Sequence, residues 1–128
     1  MIVVDASVIL EILLRTRRGI SASERVLEDS LHAPHLLDLE VSQVLRRYVF
    51  SGDLDAQRAG EALDDLLDLP ITRYPHAFLL PRIWELRRNL TAYDAAYVVL
   101  AESLPATLAT CDRRLTAGAG ANVSVLLF

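Results

Sequence analysis

Three features of this sequence predict an α/β fold, a parallel sheet covered by helices on both sides. Short, largely apolar segments, Ile2–Val4, Ile71–Tyr74, Thr107–Thr110 and Val123–Phe128, read as strands buried on both faces. Longer segments with apolar residues at helical spacing separate them, which is the order of strand-helix-strand units. No internal repeat, linker or low-complexity tract divides the 128 residues, a length that buries a core without disulfides, so residues 1–128 are read as a single domain.

Taken in order, the β-branched run Ile2–Val4 leads through Asp5, Ala6 and Ser7 into the helical pattern Val8, Ile9, Ile12 and Leu13. Arg15, Thr16, Arg17, Arg18 and Gly19 read as the close of that helix, with cations at its negative end and a glycine to stop it. Ser21 to Glu24 matches a capping box for a second helix. Pro34 breaks the chain, and His32, His35 and His76 are read as loop residues. A helix with Leu37, Val41, Val44, Leu45 and Tyr48 on its apolar stripe runs from about Leu36 to Gly52, with Glu40 beside the stripe.

Another helix is expected from about Asp55 to Leu67, with Asp64, Asp65 and Asp68 on a solvated face, before Pro70 and the strand Ile71–Tyr74. Pro81 belongs in the first turn of a helix through Ile83, Trp84, Leu86 and Arg87, because in mid-helix it would cost roughly 3 kcal/mol. Thr91 starts a helix carrying Tyr97, Val98, Leu100 and Ala101 that ends before Pro105. The strand Thr107–Thr110 leads to Asp112, and Gly118 and Gly120 mark a loop before the last strand.

Residues are 52% hydrophobic and 23% charged, an apolar surplus that implies a covered partner surface. The single cysteine, Cys111, forms no internal disulfide, and no paired Cys or His spacing indicates zinc, in keeping with a reducing cytosol. Residues 2 to 14 carry Asp5 and Glu11 and are too short to cross a bilayer, so a cytoplasmic protein with no membrane partner is expected. The net charge is −4, yet with four candidate site acids set aside the rest is balanced. All 13 bases are arginine, whose planar fork suits bidentate phosphate contact, although biased composition gives the same count.

Those four acids are Asp5, Glu40, Asp94 and Asp112. Each has a plain capping or surface reading, Asp94 above all, since Thr91 to Asp94 has the spacing of a helix start. As a set they mean more, because Asp5 and Asp112 follow strand ends, where open α/β sheets bind ligands. Carboxylates gathered in low dielectric must take up protons or hold a cation, and hard oxygen donors select Mg²⁺ or Mn²⁺. Such a site hydrolyses phosphodiesters with metal-activated water and needs no nucleophilic side chain, with Ser7 and Thr110 as supporting polar groups. Arg15, Arg17, Arg18, Arg113 and Arg114 are the candidate phosphate contacts.

The segments VVDASVIL, APHLLDLEVSQVLRR, LTAYDAAYVVLAE and TLATCDRRL together resemble the PIN domain family, and more narrowly its VapC toxins, over nearly the whole chain and in the family's order. The resemblance implies a three-layer α/β/α sandwich with a parallel sheet of about five strands. It also implies a cytoplasmic Mg²⁺- or Mn²⁺-dependent endoribonuclease toxin acting on RNA, a homodimer, and silencing by a VapB-type antitoxin. Asp5, Asp94 and Asp112 would then hold metal most directly, Glu40 would act through water, and Ser7 and Thr110 would match the small polar helpers. Tyr97 stands one turn after Asp94, where some PIN domains add an acid, and Cys111 is expected to turn away from the cleft into apolar surroundings.

Two enzyme rivals fail on absences: a receiver domain needs a lysine, and a phosphatase of the haloacid dehalogenase type needs an aspartate where Ser7 stands. The non-enzyme alternative is a catalytically inactive PIN-fold interaction or RNA-binding module that keeps the acids as caps.

Overall fold

The computed structural model describes residues 1–128. Five parallel strands, β1 (Ile2–Val4), β2 (Leu31–Pro34), β3 (Ile71–Tyr74), β4 (Thr107–Thr110) and β5 (Val125–Leu127), form one sheet in the order β3-β2-β1-β4-β5. The chain steps outward from β1 to β3, then crosses back to lay β4 on the other side of β1. That reversal places a topological switch point between β1 and β4, where loops leave the sheet in opposite directions.

Two α-helices, α1 (Ala6–Leu13) and α2 (Arg17–Val26), connect β1 to β2, and α3 (Leu36–Ser51) and α4 (Ala56–Asp68) connect β2 to β3. These four contact one another, whereas α5 (Leu80–Glu85), α6 (Ala92–Ser103) and α7 (Arg113–Ala119) form the second set, giving the three layers. A short 3₁₀ turn, Ala77–Leu79, precedes α5. Helix α6 lies against β1, β2 and β4 and is buried at every residue from Ala95 to Ala101, the pattern of a helix enclosed on all sides.

Several expectations are corrected. The strand β2 was not foreseen: His32 lies in it, buried, with its ring nitrogens 2.7 Å from the Tyr74 hydroxyl and 3.1 Å from the Ser30 hydroxyl. Pro34 does not break the element, because β2 pairs with β1 only through Leu31 and His32, and the ladder to β3 continues with the His35 N–H donating to the Tyr74 carbonyl at 2.9 Å. His35 and His76 do lie between elements as expected, and His76 Nε2 accepts from the Leu36 N–H at 3.0 Å and so caps α3, whose preceding residue offers no side-chain cap.

The second helix starts at Arg17, capped by the Thr16 hydroxyl accepting from the Gly19 N–H at 3.0 Å, and not at the Ser21 box. Arg15, at φ 55, makes the turn out of α1. Gly19 stops nothing; a Cβ there would lie 1.8 Å from the Glu11 carbonyl oxygen, so glycine is what lets α1 and α2 meet. Finally, Gly118 lies not in a loop but in the helix Arg113–Ala119, which Asp112 caps, while Gly120 falls just past its end as expected.

Candidate active site

Asp5 is set at the switch point by the register Val4↔Ala109 and by its own N–H, which donates to the Ala109 carbonyl at 3.2 Å. It caps α1, accepting from the Val8 N–H at 3.1 Å, and is only 6% exposed. Two relays converge on its carboxylate. The Cys111 N–H donates to Ser7 Oγ at 2.9 Å, and Ser7 Oγ donates to Asp5 Oδ1 at 2.6 Å. The Asp112 N–H donates to Thr110 Oγ1 at 2.9 Å, and Thr110 Oγ1 donates to Asp5 Oδ2. Both hydroxyls thus aim protons at Asp5 and lone pairs at backbone amides, which locks the carboxylate against the end of β4.

Burial still outweighs these donors and pushes the Asp5 carboxyl above the ordinary carboxylate range. No base neutralises it. Glu40, one turn into α3 and half-buried, is likewise raised, first by burial and then by the charges of Asp94 and Asp5, while a hydrogen bond from Tyr97 works against the rise. The Tyr97 hydroxyl donates to Glu40 Oε1 at 2.5 Å and is itself pushed far up by burial and by the Glu40 charge. Asp94 sits in the first turn of α6, where Thr91 Oγ1 accepts its N–H at 3.1 Å. No donor is drawn to its carboxylate, so the capping box is not closed from that side.

Asp112 differs. Its carboxylate accepts from Arg114 Nη2 at 2.8 Å and Nε at 3.2 Å and caps α7 through the Arg114 N–H at 2.9 Å, so the Arg114 guanidinium holds it below the usual carboxylate range. The Asp94 charge also acts on Arg114, raising it further. Glu40 therefore feels the charges of Asp5 and Asp94, while Asp112 is held by Arg114.

The donors suit a hard divalent cation in kind and charge: three carboxylates from three elements, two of them raised by burial. They are not gathered into a coordination shell, since no group of three or more His, Cys, Asp or Glu side chains is placed to hold a metal ion. Asp5 is held by its donors, and Asp112 would have to leave Arg114 before it could serve as a ligand.

A groove of 710 Å³ opens beside the acids, lined among others by Ser7, Glu11, Arg18, Glu40, Arg47 and Tyr93. Of the predicted phosphate contacts only Arg18 lines it; Arg15, Arg17 and Arg113 are exposed elsewhere, and Arg114 is engaged by Asp112. Arg47 was missed, although Glu40, Gln43, Val44 and Arg47 have the spacing of one helix face, as do Ser7 and Glu11. Cys111 also corrects the expectation: it lies one residue past β4, where strand alternation no longer applies, and it lines the groove half-buried, with burial pushing its thiol up.

Residues 2–120 match the PIN domain family. Ribonuclease VapC9 of Mycobacterium tuberculosis is 46% identical over 116 residues, covering 91% of this chain and 89% of that protein. Ribonuclease VapC1 of the same organism is 42% identical, covering 92% and 90%. Among solved structures, PAE2754 from Pyrobaculum aerophilum superposes with a TM-score of 0.70 at 27% identity, covering 97% of this chain and 82% of that one. With a five-stranded parallel sheet, helices on both faces and these matches, the chain belongs to the PIN domain family and, within it, to the VapC ribonucleases.

Proposed function

We propose that the protein is an endoribonuclease toxin that hydrolyses RNA phosphodiesters at the rim of the β1–β4 switch point, with Asp5, Glu40, Asp94 and Asp112 as catalytic residues and Asp5, Asp94 and Asp112 as ligands for Mg²⁺ or Mn²⁺. The observation that carries this reading is Glu40, which lines the groove, feels the charges of Asp5 and Asp94 from two other elements, and has no base paired to it. A divalent cation there supplies the positive charge that the site lacks and acidifies attacking water. Asp5 is the fixed anchor. Glu40, with a carboxyl raised by burial and carboxylate neighbours, is suited to take a proton from the attacking water. Arg18 and Arg47, on two walls of the groove, are suited to hold flanking phosphates.

A cognate VapB-type antitoxin would silence the protein by placing a basic group among the same acids, as Arg114 does for Asp112. A cytoplasmic homodimer completes the proposal. It is supported by the exposed apolar side chains Phe78, Leu80, Trp84 and Tyr93 around α5 and the start of α6, and no helix is long and apolar enough to cross a membrane. One observation favours the inactive-module alternative, namely that Asp112 is held by Arg114 and no ready metal cluster exists. Purified protein free of antitoxin, incubated with structured RNA and Mn²⁺, separates the two readings. Cleavage that stops with chelator and in Asp5→Asn supports the nuclease; cleavage that persists in either, or none in the wild type, overturns it.

A further inference from the structure

Tyr97 carries a hydroxyl where packing alone would call for phenylalanine. It is 1% exposed in the enclosed middle of α6, and a buried phenol must find a hydrogen-bond partner. The partner is not a nearby carbonyl but the Glu40 carboxylate on α3, with Oη donating to Oε1 at 2.5 Å. This is the one hydrogen bond that reaches the Glu40 side chain, on a residue that lines the groove.

Glutamate has three rotatable bonds, and this one carries its charge beside the like charges of Asp5 and Asp94. A donor must hold it in place. An arginine or lysine would do so but would also cancel the charge, whereas a phenol donates a strong charge-assisted bond and remains neutral. Tyr97 is three residues along α6 from Asp94, on the same face, so one helix presents both an acid and the hydroxyl that keeps Glu40 near it. The rigidity of α6 is passed to a side chain on α3.

We propose that Tyr97 is a positioning residue: by pinning one oxygen of Glu40, it leaves the other presented to the groove in a single orientation beside Asp5 and Asp94. The kinetic part of this rests on Glu40 acting as proton acceptor in RNA hydrolysis; the positional part does not.

Tyr97→Phe keeps the ring and removes the donor. With Mn²⁺ and structured RNA, kcat is expected to fall about 10- to 100-fold, the span of one lost hydrogen bond to a charged group, at unchanged KM. In a Glu40→Gln background the same change should cost no further activity. A crystal structure of metal-free Tyr97→Phe should show Glu40 leaving its original rotamer. The proposal is overturned if Glu40 keeps that rotamer, if KM alone changes, or if the loss in kcat is as large in the Glu40→Gln background as in the wild type. Should Tyr97→Phe not fold, Glu40→Ala supplies the test: the Tyr97 hydroxyl proton should exchange slowly by NMR in the wild type and fast in the variant, and equal rates sink the idea. A wild type that cleaves no RNA would remove the nuclease reading, and the rotamer and exchange results would still decide the positioning claim.

Discussion

Thr110 is the joint of the site, and Thr110→Val isolates its contribution. The side chain is 0% exposed, donates to Asp5 Oδ2 and accepts from the Asp112 N–H at 2.9 Å. Valine fills nearly the same volume, so no cavity enters the energetics. Losing the donor to an ionised carboxylate costs about 1.5–3 kcal/mol, and the Asp112 N–H, half-exposed and able to turn to water, loses about 0.5–1 kcal/mol more. The total, about 2–4 kcal/mol, is a large fraction of the 5–15 kcal/mol typical of a whole domain. Urea denaturation of metal-free protein at pH 7 should show it as a midpoint lowered by roughly 1–2 M at unchanged slope. Thr110→Ser is the control: it keeps both bonds and loses one methyl, for about 1 kcal/mol. If valine costs less than about 1 kcal/mol, or serine costs as much as valine, the relay through Thr110 does not hold Asp5 as argued.

Protonation gives an independent check. Asp5 and Glu40 titrate in the fold above their ordinary values of 3.8 and 4.5, so between those values and the raised ones the native state binds more protons, and stability should fall as pH rises through that window. His32, lowered from 6.5 by burial, acts in the opposite sense, with stability lost as pH falls; comparing wild type with Asp5→Asn at each pH removes its effect, and a difference that does not vary with pH would refute the assignment. Saturating Mn²⁺ should raise the melting temperature of the wild type, by an amount equivalent to about 2.7 kcal/mol at a hundredfold excess over Kd, and not that of Asp5→Asn. Arg114→Gln releases Asp112 and should tighten Mn²⁺ binding in calorimetry; weaker binding would mean Arg114 helps assemble the site. Gly19→Ala forces α1 and α2 apart and should cost about 3 kcal/mol or more in denaturation, whereas a neutral result would show that the helices separate freely.

The sequence made the fold legible wherever one residue class dominated a segment. Ile2–Val4 could only be a buried strand, and the stripe Leu37, Val41, Leu45 fixed α3 and with it the position of Glu40. It was silent where tertiary contact overrode local preference. In β2, Leu-His-Ala-Pro carries two residues poor in strands, yet it is held between β1 and β3 because His32 finds two hydroxyl partners and Pro34 lies beyond the ladder to β1. Helix α2 was started too late because glycine after three arginines reads as a stop, when the requirement at Gly19 was for contact with a neighbouring helix rather than for a turn. Arg47 was in plain view at seven residues from Glu40; Arg114 could not be read, because whether an arginine beside an acid pairs with it or with a phosphate depends on how the helix after β4 begins.

Asp5 and Asp112 also show that a capping role is compatible with the function proposed for them. Each closes the first turn of a helix that leaves the sheet at the switch point, and this gives both carboxylates fixed backbone at the rim. What differs is how tightly each side chain is held. Asp5 accepts from two hydroxyls and an amide, Glu40 from one phenol and Asp112 from an arginine, whereas the Asp94 carboxylate is drawn to no donor. The neutral donors orient their acids without cancelling charge, and the charged donor cancels it. If the proposed site takes a cation, Asp5 would be its firmest ligand and Asp94 would be free to turn toward it. The cation would have to compete with Arg114 for Asp112. The same competition would give the proposed antitoxin a simple means of silencing: a basic side chain delivered to Asp5 and Glu40 would repeat there what Arg114 does for Asp112.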